Sequence, residues 1–195
     1  MDNKVTIEKD SLIQTYKQAS EEQKKMLINL FGKDMFKPLD IKERIKTFED
    51  ACNEIGVDDE LYIQYMLFTK YAHLNQVNDV IAFIKLRIIV KALNDGWKPS
   101  FDNKEHRHYP WFFIYRKNEY EALNDDDKKK CFIFAHPCGS SEKYVGIAFG
   151  NADYDSSYTH SNISYQLALK TKEIAEYCGK QFIDVWADYF FSSYK

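Results

Sequence analysis

Two short pairs, His106-x-His108 and His136-x-Cys138, carry the residue types that hold zinc, with Cys131 a little ahead of the second pair. Imidazole and thiolate are the preferred ligands of that metal. Neither pair has CxxC or HxxxH spacing, and His106 and His108 lie in a charged stretch, KEHRHYP, where a solvated pair is the ordinary outcome. Cys138-Gly139-Ser140-Ser141 looks superficially like a nucleophile turn. A catalytic cysteine needs a base and an electropositive pocket, and the sequence supplies neither in view. Gly146–Gly150 is not a phosphate loop, because GxGxxG and GK[ST] are both missing. The carboxylate pairs Asp153/Asp155 and Asp184/Asp188 read as a turn and as a solvated helix edge rather than as an acid and its base. The expectation is a protein that is not an enzyme and that uses neither metal nor cofactor.

One stretch suits binding better than catalysis. Asn151–Ser164, NADYDSSYTHSNIS, reads as a polar and aromatic loop between two strands. Asp153, Tyr154, Asp155, Tyr158 and Asn162 are its candidate ligand- or partner-binding residues, since aromatic faces beside amides and carboxylates suit sugars or a protein epitope. A plain exposed hairpin loop is the competing reading.

The elements that must position these residues are organised around Asn78–Trp97, NDVIAFIKLRIIVKALNDGW. Asn78 or Asp79 caps its start, and its apolar positions cover well over one helical face, so burial on most sides is expected. Lys85, Arg87 and Lys91 mark a narrow exposed stripe, and Asn94-Asp95-Gly96 is a stop with Gly96 in the left-handed position. Upstream, a helix is expected over Ser11–Ala19. A second, Glu21–Phe31, opens on a Ser20/Gln23 capping box and stops at Gly32. Pro38 marks a break; Asp40 caps one helix running from Ile41 to Gly56, with Cys52 as a small core residue. A helix from Asp58 or Asp59 to about Tyr71 follows, with Leu61, Tyr62, Tyr65, Met66 and Phe68 inside.

After Trp97 the pattern becomes aromatic and β-branched. Strands are expected at Tyr109–Tyr115, Cys131–Ala135, Lys143–Phe149 and Ile163–Leu169, with a short helix at Asn118–Leu123 and Gly146 marking a bulge or a close approach. Thr171 caps a last helix, Lys172–Phe191, whose Gly179 permits a close contact. Helices, then strands, then a helix argue for an α+β fold: an N-terminal helical bundle on a small, mostly antiparallel sheet covered by a C-terminal helix. The expected division is an N-terminal helical arm, 1–38, and one α+β domain, 39–195.

The chain has 195 residues, 45% hydrophobic and 29% charged, which is ordinary for a soluble globular protein. Its 14 Tyr and 14 Phe are an excess that fits half-buried binding faces, or equally an A/T-rich genome. A net charge of −3 without a basic stripe gives nucleic-acid binding no electrostatic support. The run Asn78–Trp97 is broken by Lys85 and Arg87, so no membrane span is expected. MDNKVTIEKD lacks an apolar core, so no secretory leader is expected and the four cysteines read as reduced thiols.

Several motifs in one order, IKERIKTFEDACNEIG, IKLRIIVKALNDGWKPSF, YPWFFIY and LALKTKEIAEYCGKQFIDVWADYF, resemble a family of small uncharacterised proteins of Bacteroides-type gut bacteria and their phages, crAss-like phages included. The resemblance runs from about Ile41 to Phe191. It implies a phage or virion structural role and brings no catalytic residues with it. The resulting expectation is a non-catalytic phage or prophage protein that works by protein–protein contact, most plausibly a minor virion or assembly component. Its place would be the host cytoplasm, the virion, or both. Its partner would be a virion protein, a host protein or another copy of itself, as a homo-oligomer. A glycan or small-ligand module and a host-directed inhibitor are the alternatives.

Overall fold

The structure is a computed structural model. It describes residues 6–36, 40–75, 78–100, 105–135, 144–156 and 165–191. Two compact units divide the chain, Met1–Arg44 and Ile45–Lys195.

The first unit holds α1 (Lys9–Gln18), α2 (Glu21–Phe31), a 3-10 turn (Lys33–Phe36) and α3 (Ile41–Arg44). The expected capping box forms: the Gln23 N–H donates to Ser20 Oγ at 3.4 Å, and the Ser20 N–H donates to Gln23 Oε1 at 2.9 Å. Gly32 ends α2 with φ at +81°, a value that favours glycine. Tyr16 stacks on Phe36 with centroids 4.3 Å apart, which ties α1 to the 3-10 turn.

The second unit opens with α4 (Phe48–Ile55), α5 (Glu60–Asn75) and α6 (Asn78–Asn94). The single helix expected from Ile41 to Gly56 is interrupted at residues 45–47. A second capping box explains the interruption. The Asp50 N–H donates to Thr47 Oγ1 at 3.1 Å, while the Asp50 carboxylate accepts from the N–H of Thr47 at 2.9 Å and of Lys46 at 3.1 Å. Hydrogen bonding from Thr47 and Lys46 holds the Asp50 carboxyl below its ordinary value. Asp59 opens α5 by accepting from the Leu61 N–H at 3.0 Å, and its carboxylate pairs with Lys91 on α6.

α6 is buried on nearly all sides, as expected. Only Lys91 of the three expected stripe cations is exposed. Lys85 lies 5.4 Å over the Phe48 ring and Arg87 lies 5.9 Å over the Phe83 ring, so both cover apolar surface with their stems. The stop forms with both Asp95 (φ 48°) and Gly96 (φ 84°) in the left-handed region. Asn94 is buried and bonded on both sides: its Nδ2 donates to the Ala168 carbonyl at 2.9 Å, and its Oδ1 accepts from the Lys170 N–H at 3.1 Å.

Next come β1 (His106–Arg116), α7 (Lys117–Glu121), α8 (Asp125–Lys128), β2 (Cys131–Ala135) and β3 (Tyr144–Ser156). The sheet is antiparallel in the order β1-β3-β2. β3 continues through Ser156, so part of the stretch expected as a loop is strand. Asn151–Ser156 pairs with His106–Trp111, whose partnership overrides the weak strand propensity of Asn and Asp. The bulge falls at Gly150, where the register shifts opposite Trp111 and Phe112. Gly146, expected to mark it, is regularly paired with Tyr115 and Ile133.

The fourth strand expected at Ile163–Leu169 is, over its described part, a 3-10 turn (Tyr165–Leu167) and a single bridge from Leu169 to His108. Leu167, Ala168 and Leu169 are all buried, whereas a half-buried strand would alternate. The C-terminal helix divides into α9 (Lys172–Gln181) and α10 (Ile183–Phe191) at Phe182, which leaves helical geometry at ψ 33°. The apolar phase is preserved across the break because Phe182 still accepts from the N–H of Val185 and Trp186.

Within this unit α9 and α10 lie against the sheet, and α6 packs on them while also holding α4 and α5. The layer is closed by aromatic contacts. Phe112 of β1 meets Trp186 at 5.3 Å, Trp186 meets Tyr189 at 6.2 Å, and Tyr189 stacks on Phe83 of α6 at 5.7 Å. These facts establish an α+β fold. Gly179 is the close approach expected of it: a Cβ there would sit 2.5 Å from Phe149 Cδ2 and 2.7 Å from Pro110 Cβ.

Candidate interaction surface

Three of the five residues expected to bind in a loop are strand residues. Asp153, Tyr154 and Asp155 are strand residues of β3, in register with Tyr109, His108 and Arg107. Tyr158 and Asn162 lie outside the described residues, as do His136 and Cys138. His106 and His108 stand on β1, and Asp184 and Asp188 are exposed on α10. Among the described residues no three His, Cys, Asp or Glu side chains converge as metal ligands. Cys178 is fully buried, and burial pushes its thiol up to about 12. Burial also raises the Cys52 and Cys131 thiols. All three are therefore poor nucleophiles.

Exposed apolar side chains mark a different place. Leu61 of α5 is buried and Tyr65 meets Phe48 of α4 edge-on at 4.9 Å, which fixes the inner face of that helix. The outer face carries Ile63 (47% exposed), Met66 (49%), Leu67 (53%) and Tyr71 (48%). Met66 and Phe68 were expected inside, and both are exposed. The signal was present in the sequence. Leu61, Tyr62, Ile63, Tyr65, Met66, Leu67 and Phe68 surround the helix, and a helix apolar all round needs partners on both sides. Among the described residues of this unit, α6 and the Phe48 ring of α4 supply one of them. Glu60 and Lys70 flank the outer stripe, and neither has an ion-pair partner among the described residues.

Two other features compete. Trp111 and Phe113 are half-exposed on β1, with the Phe113 ring lying against Gly150. A cleft of about 420 Å³ opens at the end of α6, lined by Gln64, Arg87, Lys91, Trp97 and Tyr165 among others. Three of its polar groups are already engaged: Lys91 pairs with Asp59, Arg87 covers Phe83, and the Tyr165 hydroxyl donates to the Pro99 carbonyl. The α5 stripe sets four half-exposed apolar side chains on one helix face, and apolar patches of that kind mark contact sites.

The chain matches no family model, no curated protein and no solved structure. No helix among the described residues is long and apolar enough to cross a membrane.

Proposed function

We propose that this protein is non-catalytic and works by protein–protein contact through the outer face of α5. The observation that carries the reading is the run Ile63, Met66, Leu67 and Tyr71, four large apolar side chains left in water on one helix. Because each is about half exposed, covering an Ile, Leu or Met of this face would gain roughly half of the 1.5–3 kcal/mol of a full burial. The finer form rests on the family resemblance: a minor virion or assembly component encoded by a phage or prophage. The test is co-purification of the tagged full-length chain and of its Leu67→Asp variant from producing cells. The expected result is one stoichiometric protein, of the same chain or another, retained by the wild type and lost from the variant. Equal recovery of all proteins by both would contradict the reading. A stoichiometric host protein would favour the host-directed inhibitor over the virion component.

A second reading is a small-ligand module, favoured by the cleft beside Trp97, whose volume falls within the range of ligand sites. Saturable binding of a small molecule that is lost on Trp97→Ala, with the fold intact, is the result that would support it.

A further inference from the structure

We propose that the α5 face binds a second copy of this chain, helix against helix in antiparallel order, about a two-fold axis at the level of Tyr65. The inference rests on the reading of α5 as a contact surface and names its occupant. The argument is self-complementarity. Glu60, Ile63, Leu67 and Lys70 follow one another at spacings of three, four and three residues, which places them along one line of the helix. Ile63 and Leu67 each stand two residues from position 65, and Glu60 and Lys70 each stand five residues from it. A two-fold axis at that level brings Ile63 to Leu67 of the second copy and Glu60 to Lys70 of the second copy. Both pairings occur twice. Apolar residues thus meet apolar residues at the centre, and opposite charges meet at both ends. A two-fold interface requires this, because the same patch must serve both sides. Parallel alignment would instead set Glu60 against Glu60 and Lys70 against Lys70. Glu60 and Lys70 are exposed and lack ion-pair partners among the described residues, so both can take this role.

The experiment is sedimentation equilibrium of the purified full-length chain across a dilution series, with circular dichroism as the control for folding. The wild type is expected to form a dimer. Leu67→Asp is expected to abolish it. Glu60→Lys alone is expected to weaken it by about tenfold, and Glu60→Lys with Lys70→Glu to restore it to within about threefold. A dimer that Leu67→Asp leaves intact, or a double variant no tighter than the single one, would overturn the proposal. A wild type that stays monomeric throughout would overturn it too. In that case the co-purification above still separates the two claims: a heterologous protein lost on Leu67→Asp keeps α5 as a contact surface, and none lost removes both.

Discussion

Gly179 decides how close α9 comes to the sheet. With Phe149 and Pro110 already in the space that a Cβ would take, Gly179→Ala must push the helix outward or displace both neighbours. Overpacking of this kind costs about 1–3 kcal/mol, so the midpoint of urea unfolding should fall while the slope is unchanged. One residue earlier, Cys178 makes a pH prediction. Its folded value of about 12 lies above the ordinary value of 9.0, so the folded state holds its proton more tightly than the unfolded chain does. The stability this contributes is fully present below pH 9.0 and is lost as pH rises from there towards 12. Unfolding followed across that window should show a decline that Cys178→Ala, a substitution without a titrating group, flattens. Asn94 is the polar counterpart. It bonds the Ala168 carbonyl and the Lys170 N–H with one buried amide, and Asn94→Leu would strand both, at a cost of about 1–3 kcal/mol for each group left unsatisfied.

At the scale of elements, the boundaries follow local hydrogen bonding more than apolar period. Ile45, Phe48, Cys52 and Ile55 keep one helical period across a place where the helix stops. What stops it is the Thr47–Asp50 box, a four-residue pattern inside a longer apolar repeat. Thr47→Ala should cost about 1 kcal/mol and lower the thermal midpoint accordingly, without touching the α5 surface. The same conflict hid the break at Phe182, where the apolar set of α9 and α10 reads as one helix. By contrast, α2, α6 and β2 were legible because their caps, stops and periods agree. β3 was legible only to Phe149: its second half owes its strand state to β1, a partner that no local window contains. The α5 surface was legible in its composition but not in its direction. Which side of an all-apolar helix faces inward is settled by α4 and α6, through contacts distant in sequence.

For the whole molecule, the core and the contact surface are separable. The aromatic series Phe112, Trp186, Tyr189 and Phe83 holds sheet to helices within Ile45–Lys195, and none of its members lies on α5. Leu67→Asp should therefore leave the stability of the isolated chain within about 0.5 kcal/mol of wild type, read by chemical unfolding at a concentration too low for association. Loss of contact together with loss of fold would mean that α5 is held by its own chain instead.

The most direct measurement is photo-cross-linking in producing cells from a benzoylphenylalanine placed at Leu67, with the same group at Lys129 as control. The Lys129 side chain is 76% exposed, on the polar turn after α8. The account predicts one discrete cross-linked product from position 67 and none from position 129. No product from position 67, or the same smear from both, would contradict the claim that the α5 face is a protein-binding surface.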